Sequence, residues 1–562
     1  MALEQIADRI VETDVLVVGG GIAGCPAAAR AAQNGLKVTL AEKAKTDRSG
    51  SAAAGIDHFC GIYERGMTVK EFTELTAGYG PQAYYGGADF SDLTRLYKQY
   101  ANGMWGVEEL EKLGVPMRWG DGKLRPTKDY HWGGPMMRVH WRDVKPIMAK
   151  AARKAGVNVL ERTMIIDLLT SKGAVVGATA IDTRTGEFVV IKAKATVLAT
   201  AACSRVYTPE TPMPGKYKFR YHWCPASVSG DGWAMAYRAG AELANLEQGG
   251  RGYRFRDDLV LSFGNNGNEG ISAQRLTWDG EEFVDQSAQR LTALERQGKD
   301  PFYFSLANLP EDFHKRIEVA YVDERLLSFK IAEDRGFNLR SHWYEMMDSR
   351  PNQLHTAPGI WSDVDFKTTL NGLHAIGDCV AGCHDVANGS ISGLLIADVL
   401  PTFVSKAPEP VIDEAQVESQ KETARAPLSV KDGTEPIELE MAIRYICDRY
   451  VGLYKGEGRL REGLRRISSL RREFLPKLEA SNPHELMRAL EIRNIMDVAE
   501  LHIKASLERK ETWSGHIRLD YPEKDPSLGK KLLYQRLDDG KPVLEFRERP
   551  PMALPDDHKE ER

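Results

Sequence analysis

The sequence predicts an α/β fold built on a parallel sheet and followed by a helical domain, and three stretches carry that prediction. The first is TDVLVVGGGIAGCPAAARAAQNGLKVTLAEKA, in which an apolar run at 15–18 leads into Gly19-x-Gly21-x-x-Gly24 and an Ala-rich helix ended by Gly35. A second strand at 38–41 then delivers Glu42. The next observation is a pair of later apolar strands, KATVLATAA (194–202) and GLHAIGDC (372–379), each running into small residues at its end. Last, residues 486–507 place apolar side chains at helical spacing near the C-terminus.

Each piece of the glycine motif has a physical task. Gly19 allows the tight turn out of the strand, Gly21 lets backbone approach a pyrophosphate, and Gly24 lets the helix sit close to the strand. The helix N-terminus offers free N–H groups and the positive end of a dipole. Glu42 suits ribose hydroxyls, which argues for an unphosphorylated ribose. Strand, helix, strand and acid in that order read as a dinucleotide site.

Composition bounds the rest. A chain of 562 residues is long enough for two or three domains. The net charge of −5 supplies no overall basic field for nucleic acid. Seven cysteines are scattered without CxxC pairs, so neither a disulfide framework, a metal site nor a chain-borne iron–sulfur cluster is expected. The opening MALEQIADRIVETD lacks the basic flank and apolar run of a signal peptide, and no window holds 18 apolar residues. The expectation is a soluble, cytoplasmic protein with no membrane span.

The two late strands decide between cofactors. An acid after the final strand, here Gly377-Asp378, followed by Asn388-Gly389-Ser390 opening an apolar helix, resembles the succinate dehydrogenase and fumarate reductase flavoprotein superfamily over most of residues 10–405. The resemblance implies FAD, held by Gly19, Gly21, Gly24, Glu42, Lys43, Ser49, Gly50, Gly55, Ala199, Thr200, Gly377, Asp378, Asn388, Ser390 and Ile391. The last of these begin a helix whose N-terminus is expected to face the flavin O2 edge. Members with covalent FAD carry a histidine before an Ala-Ala-x-Gly stretch. The matching stretch here, DRSGSAAAGID, has Ser49 near that place, so the FAD is expected to be noncovalent.

The same resemblance implies an architecture. A Rossmann-type FAD-binding domain (1–224 and 344–410) is expected to hold an inserted α+β capping domain (225–343). A linker (411–436), a C-terminal helical domain (437–530) and an extended tail (531–562) are expected to follow. Within the superfamily, GAELANLEQGGRGYRFRDDL resembles the adenylylsulfate reductase alpha subunit, and not the histidine-bearing stretch of fumarate and succinate enzymes. That branch also matches His355, the Gly359-Ile360-Trp361 turn, Thr368-Thr369 and Gly377-Asp378. The block Arg509-Lys510-Glu511-Thr512 matches the superfamily as a whole.

The implied chemistry is reduction of an anionic substrate at flavin N5. Growing negative charge calls for fixed cations, and arginine stays charged and pairs with carboxylate, sulfate or phosphate. Arg254, with Arg256 behind it, and His355 are therefore the expected catalytic residues. Two positions depart from the branch: Cys60 stands where its substrate-contacting asparagine falls, and Ser227 where its adenine-stacking tryptophan falls. Three functions remain open: a reductase of adenylylsulfate or another sulfur anion, a fumarate-reductase-like enzyme of a carboxylate or enoyl compound, and an electron-transfer subunit of a larger complex. An iron–sulfur, ferredoxin-like partner subunit is implied, since the chain shows no cluster spacing of its own.

Overall fold

The structure is a computed structural model that describes residues 2–60, 65–78, 89–127, 136–207, 225–249, 252–255, 274–283, 288–311, 314, 315, 334, 336, 338, 340, 341, 343–349, 357–383 and 385–560. Its main sheet has seven strands and is mixed. Arg9–Val18 pairs in parallel with Val38–Glu42 on one side and with Phe188–Leu198 on the other, so that Val15 lies opposite Val38 and Ala195. Asn158–Glu161 extends the parallel set outward, and Leu373–Ala375 joins the end of Phe188–Leu198. The remaining strands, Ala174–Asp182 and Thr163–Ser171, run antiparallel as a meander that the predicted parallel sheet did not include.

Burial explains why the apolar runs become central strands. Val15, Leu16 and Val17 are buried, with helices covering both faces of the sheet. On one face, Gly24–Gln33 meets Asp385–Val404 backbone to backbone, since a Cβ at Gly393 would stand 2.2 Å from the Ala23 carbonyl oxygen. Asp385–Val404 is long and apolar enough to cross a membrane, and most of its apolar stretch is buried inside the protein. On the other face, residues of Asp231–Arg238 and of the 26-residue helix Pro483–Glu508 share one core cluster.

Three regions differ from the expected organisation. The expected linker holds the helix Glu414–Arg425, capped by Asp413, whose Oδ1 accepts from the Ala415 and Gln416 amides. This helix covers the edge of the main sheet: the Thr170 N–H donates to Gln416 Oε1 at 3.0 Å, and Gln420 Nε2 donates to the Leu168 carbonyl at 3.0 Å. An open strand edge is thereby satisfied by side chains of a polar segment. The expected extended tail is instead a hairpin, Leu532–Asp538 with Lys541–Arg547, added to Leu243–Ala244. Its turn residues Asp539 and Gly540 both have positive φ, the Asp-Gly signature of a two-residue hairpin loop.

The chain then straps onto itself. The Val69 and Lys70 amides donate to the His558 and Asp556 carbonyls, and Met552 and Leu554 pack beside Phe72, Leu96 and Tyr97. Among the described residues of the inserted region, Gly252–Phe255, Trp343–Ser349, Phe302–Ser305 and Gln274–Leu276 form a separate antiparallel sheet in that order. Asp231–Arg238, expected in the capping domain, belongs spatially to the main sheet.

Candidate nucleotide cofactor site

Strand direction sets the location of the site. Val18, Glu42, Ala199 and Ile376 stand at or just beyond the carboxyl ends of the parallel strands, and they line a cleft that is partly open to solvent. A crevice at the carboxyl ends of such strands is where α/β sheets bind ligands.

The glycine motif behaves as its spacing predicts. Gly19 has φ of +101°, and a Cβ there would stand 2.5 Å from the Ala199 carbonyl oxygen. At Gly24 a Cβ would lie 1.9 Å from the Gly19 oxygen, which leaves no room for any side chain. Gly21 is the opposite case: a Cβ would meet no protein atom within 4 Å, and the residue lines the cleft. The space above Gly21 is a cradle of the kind a pyrophosphate fills. Gly50 crosses over it, 3.3 Å from the Gly21 Cα as measured from its hypothetical Cβ. Gly55 lies against the Trp141–Arg142 backbone and is not among the cleft-lining residues.

Buried polar atoms supply the fit test for a polar cofactor. The hydroxyls of Thr46, Ser49 and Thr200 are buried and have no hydrogen-bond partner, which a protein rarely tolerates unless a ligand or water completes them. Thr200 lines the cleft, and Thr46 and Ser49 flank the glycine loop through Gly20 and Gly50. Glu42 accepts from the Gly20 amide at 2.7 Å and the Ala44 amide at 2.8 Å, which fixes its carboxylate at the strand end with lone pairs to spare. Beneath the loop, the buried Lys145 ammonium donates to the Gly20 carbonyl. These features fit FAD.

Other expected residues turn out differently. Lys43 lines the cleft, yet its ammonium points to Ser227 O, Ser229 Oγ, Asp231 Oδ2 and Glu491 Oε1 at 2.6 to 2.9 Å. Ala199, Thr200, Gly377 and Asp378 all line the cleft. The apolar helix begins at Asp385, earlier than expected, and Asp385 Oδ1 accepts from the Ala387 and Asn388 amides. Asn388 donates to the Tyr100 hydroxyl, Ser390 Oγ donates to the Val386 carbonyl, and Ile391 packs on Gly106. Of that turn only Gly389 lines the cleft. Side chains at 388, 390 and 391 therefore build the helix and its packing.

Sequence reasoning missed Thr163–Ile165, Ser227, Val228, Asp231 and Met235, which complete the cleft wall. None carries a local signal, because each reaches the cleft through the meander or through the Asp231–Arg238 helix and the turn before it. Ser227, expected at a substrate adenine, instead borders the cofactor cleft, where its carbonyl accepts from Lys43. His355 and Arg256 lie outside the described residues. Arg254 is described only in its backbone, paired with Met347. Cys60 is likewise described only in its backbone, in the strand Ile56–Cys60. A Cβ at Gly359 would stand 2.6 Å from Ala381 N, so the Gly-Ile-Trp turn is pinned beside the exit of the last strand. The Arg509 block is structural: buried Arg509 donates to Glu247 Oε1 at 2.7 Å and to Glu511 Oε1 at 2.6 Å.

Comparison with known proteins agrees with this site. Residues 14–249 match the family described as FAD binding domain, and residues 440–555 match the fumarate reductase flavoprotein C-terminal family. L-aspartate oxidase of Yersinia pestis is 26% identical over 91% of this chain and 96% of its own length. The fumarate reductase flavoprotein of Haemophilus influenzae is 23% identical over 92% and 90%. Among solved structures, adenylylsulfate reductase of Archaeoglobus fulgidus superimposes with a TM-score of 0.80 at 26% identity, covering 97% of this chain and 96% of that one. An adenosine-5-phosphosulfate reductase in complex with sulfite, as a covalent adduct, gives 0.81 at 25% identity, covering 97% and 96%.

Fold, cleft and matches together define an FAD-dependent oxidoreductase. More particularly, the chain carries an FAD binding domain and a fumarate reductase flavoprotein C-terminal domain, in the fold that the adenylylsulfate reductase structures share.

Proposed function

We propose that this chain is the flavoprotein subunit of a reductase acting on a small sulfur-containing anion, adenylylsulfate or a close chemical relative. The observation that carries this reading is the superposition on adenylylsulfate reductases along nearly the whole chain, at TM-scores of 0.80 and 0.81. The motif Arg254-Phe255-Arg256-Asp257 and the pinned Gly359-Ile360-Trp361 turn agree with it. FAD in the cleft, held noncovalently, supplies a two-electron donor or acceptor. Arg254 offers the fixed cation for charge that grows on the substrate oxygens, with Arg256 behind it, and His355 holds or moves a proton at the substrate.

A second reading is supported by the relatives named L-aspartate oxidase and fumarate reductase: chemistry at a carbon–carbon or carbon–nitrogen bond of a dicarboxylate. Under the first reading the flavin, which takes electron pairs, exchanges electrons with its donor through an iron–sulfur partner subunit, since this chain carries no cluster spacing of its own.

The test is anaerobic reoxidation of the reduced protein by adenylylsulfate, sulfate, fumarate or iminosuccinate. Rapid reoxidation by adenylylsulfate alone supports the first reading, and by a dicarboxylate alone the second. Reoxidation by none of them points to the electron-transfer role and removes both. In the active assay, Arg254→Ala lowers turnover by roughly 10²-fold with FAD content unchanged, as loss of a transition-state donor does. His355→Asn removes one limb of the pH profile, while Arg256→Ala changes turnover little.

A further inference from the structure

The Lys43 side of the cleft is tied by charges to the C-terminal domain. Lys43 directly follows Glu42, and its ammonium reaches Asp231 Oδ2 at 2.8 Å and Glu491 Oε1 at 2.6 Å. Glu491 belongs to the helix Pro483–Glu508 and is only 2% exposed. One turn further along the same helix, Asn494 Nδ2 donates to Asp231 Oδ1 at 2.8 Å. A single helix thus grips Lys43 and Asp231, two residues that line the cleft.

Behind Glu491 the charges alternate inward. Its Oε2 accepts from Arg205, whose Nε and second terminal nitrogen are chelated by Glu440 at 2.8 and 2.6 Å. Arg444 and Arg488 also donate to Glu440, and Arg488 lies 3.7 Å from Glu491 Oε2. Arg205 and Glu440 are 2% and 0% exposed, so each charge depends on its neighbours. Burial pushes the Glu491 carboxyl up, and the Lys43 and Arg205 cations override this and hold it below the ordinary carboxylate range.

Glu491 is the acid that bridges Lys43 to Arg205. Without it Lys43 keeps Asp231, and Arg205 keeps Glu440, but the two halves are no longer joined through a shared carboxylate. We propose that Glu491 is a positioning residue of the FAD site: it fixes Lys43 and, through it, the 227–231 turn, so that FAD binding and seating of the C-terminal helix are coupled. The coupling is reciprocal by thermodynamic necessity: if seating of the helix favours FAD, FAD favours seating of the helix. The proposal rests on FAD occupying this cleft.

The experiment titrates FAD into the apoprotein of the full chain, followed by flavin fluorescence. Glu491→Gln is expected to weaken FAD binding at least tenfold, while Glu500→Gln, an acid on the same helix that pairs with Arg471 and Lys504, stays within twofold. In the Lys43→Met background, Glu491→Gln is expected to add little, because it acts through Lys43; fully additive losses would mean a general structural defect and overturn the proposal. A second measurement needs no variant. FAD is expected to slow amide hydrogen exchange of the Pro483–Glu508 helix in the wild-type chain, and unchanged exchange overturns the coupling even if Glu491→Gln fails to fold. Wild-type apoprotein that does not bind FAD would refute the site itself, whereas normal binding by Glu491→Gln would refute only the role given to Glu491.

Discussion

The two walls of the cofactor cleft are built by opposite means. On the glycine side the constraint is the absence of atoms: Gly19 and Gly24 leave no room for a Cβ, and Gly21 leaves its space to a ligand. On the Lys43 side the constraint is a surplus of contacts, with one ammonium facing four oxygens drawn from two distant segments. The first wall is local and backbone-made. The second is assembled from residues up to 448 positions apart. A local wall fails abruptly when a single atom is added, while a wall of side chains weakens by degrees as its partners are lost.

The largest expected effect breaks the local wall. Gly24→Val pushes atoms into the Gly19 carbonyl, 1.9 Å from where the first would sit, and either the loop or the helix must move. The purified variant is expected to carry no flavin absorbance and to melt well below the wild type. Retention of normal flavin content would show that this close approach is not needed.

A smaller effect separates cofactor from fold. Gly21→Ala meets no protein atom, so the melting temperature of the apoprotein is expected to stay the same, while FAD binding weakens by about tenfold because the new methyl group stands in the cradle. Calorimetry of apoprotein and holoprotein distinguishes the two. Equal loss of stability in both would mean that Gly21 serves the fold and not the ligand.

An effect absent at neutral pH, and so the smallest under ordinary assay conditions, lies on the strand that ends just before Gly377. His374 is 1% exposed, has no partner on either ring nitrogen and packs edge-on against Phe403 at 4.9 Å. Burial, helped by Lys367, pushes its pKa down from 6.5 to about 4. Between those values the unfolded chain takes up a proton that the folded chain refuses, so stability falls as pH drops from about 6.5 to about 4, by on the order of 3 kcal/mol in total. His374→Phe removes this proton uptake, and its melting temperature is expected to fall less between pH 6.5 and about 4.5 than that of the wild type. Parallel acid limbs would exclude His374 as a source of acid lability.

Legibility in the sequence follows the same division. The glycine spacing, the apolar strands at 15–18 and 38–41, Glu42 and the Gly377-Asp378 exit are readable, because each depends on neighbours within a few residues. Asn388, Ser390 and Ile391 stand a turn inside the helix and not at its start, because Asp385 opens it and takes the Ala387 and Asn388 amides, a cap the sequence reading did not place. Lys43 reads as a cofactor ligand in the sequence, since nothing near it reveals Asp231 or Glu491. The linker and tail look polar and unstructured, yet Gln416, Gln420 and the Asp539-Gly540 turn carry specific contacts there. Of these, the Asp-Gly turn is a local signal, and the glutamine contacts are not.

Noncovalent FAD held between these two walls is the central expectation, and acid precipitation of the purified protein tests it most directly. The yellow chromophore is expected in the supernatant, in an amount equal to the protein and with the mass of FAD. Flavin that stays with the pellet, or a protein that binds no flavin, would contradict it.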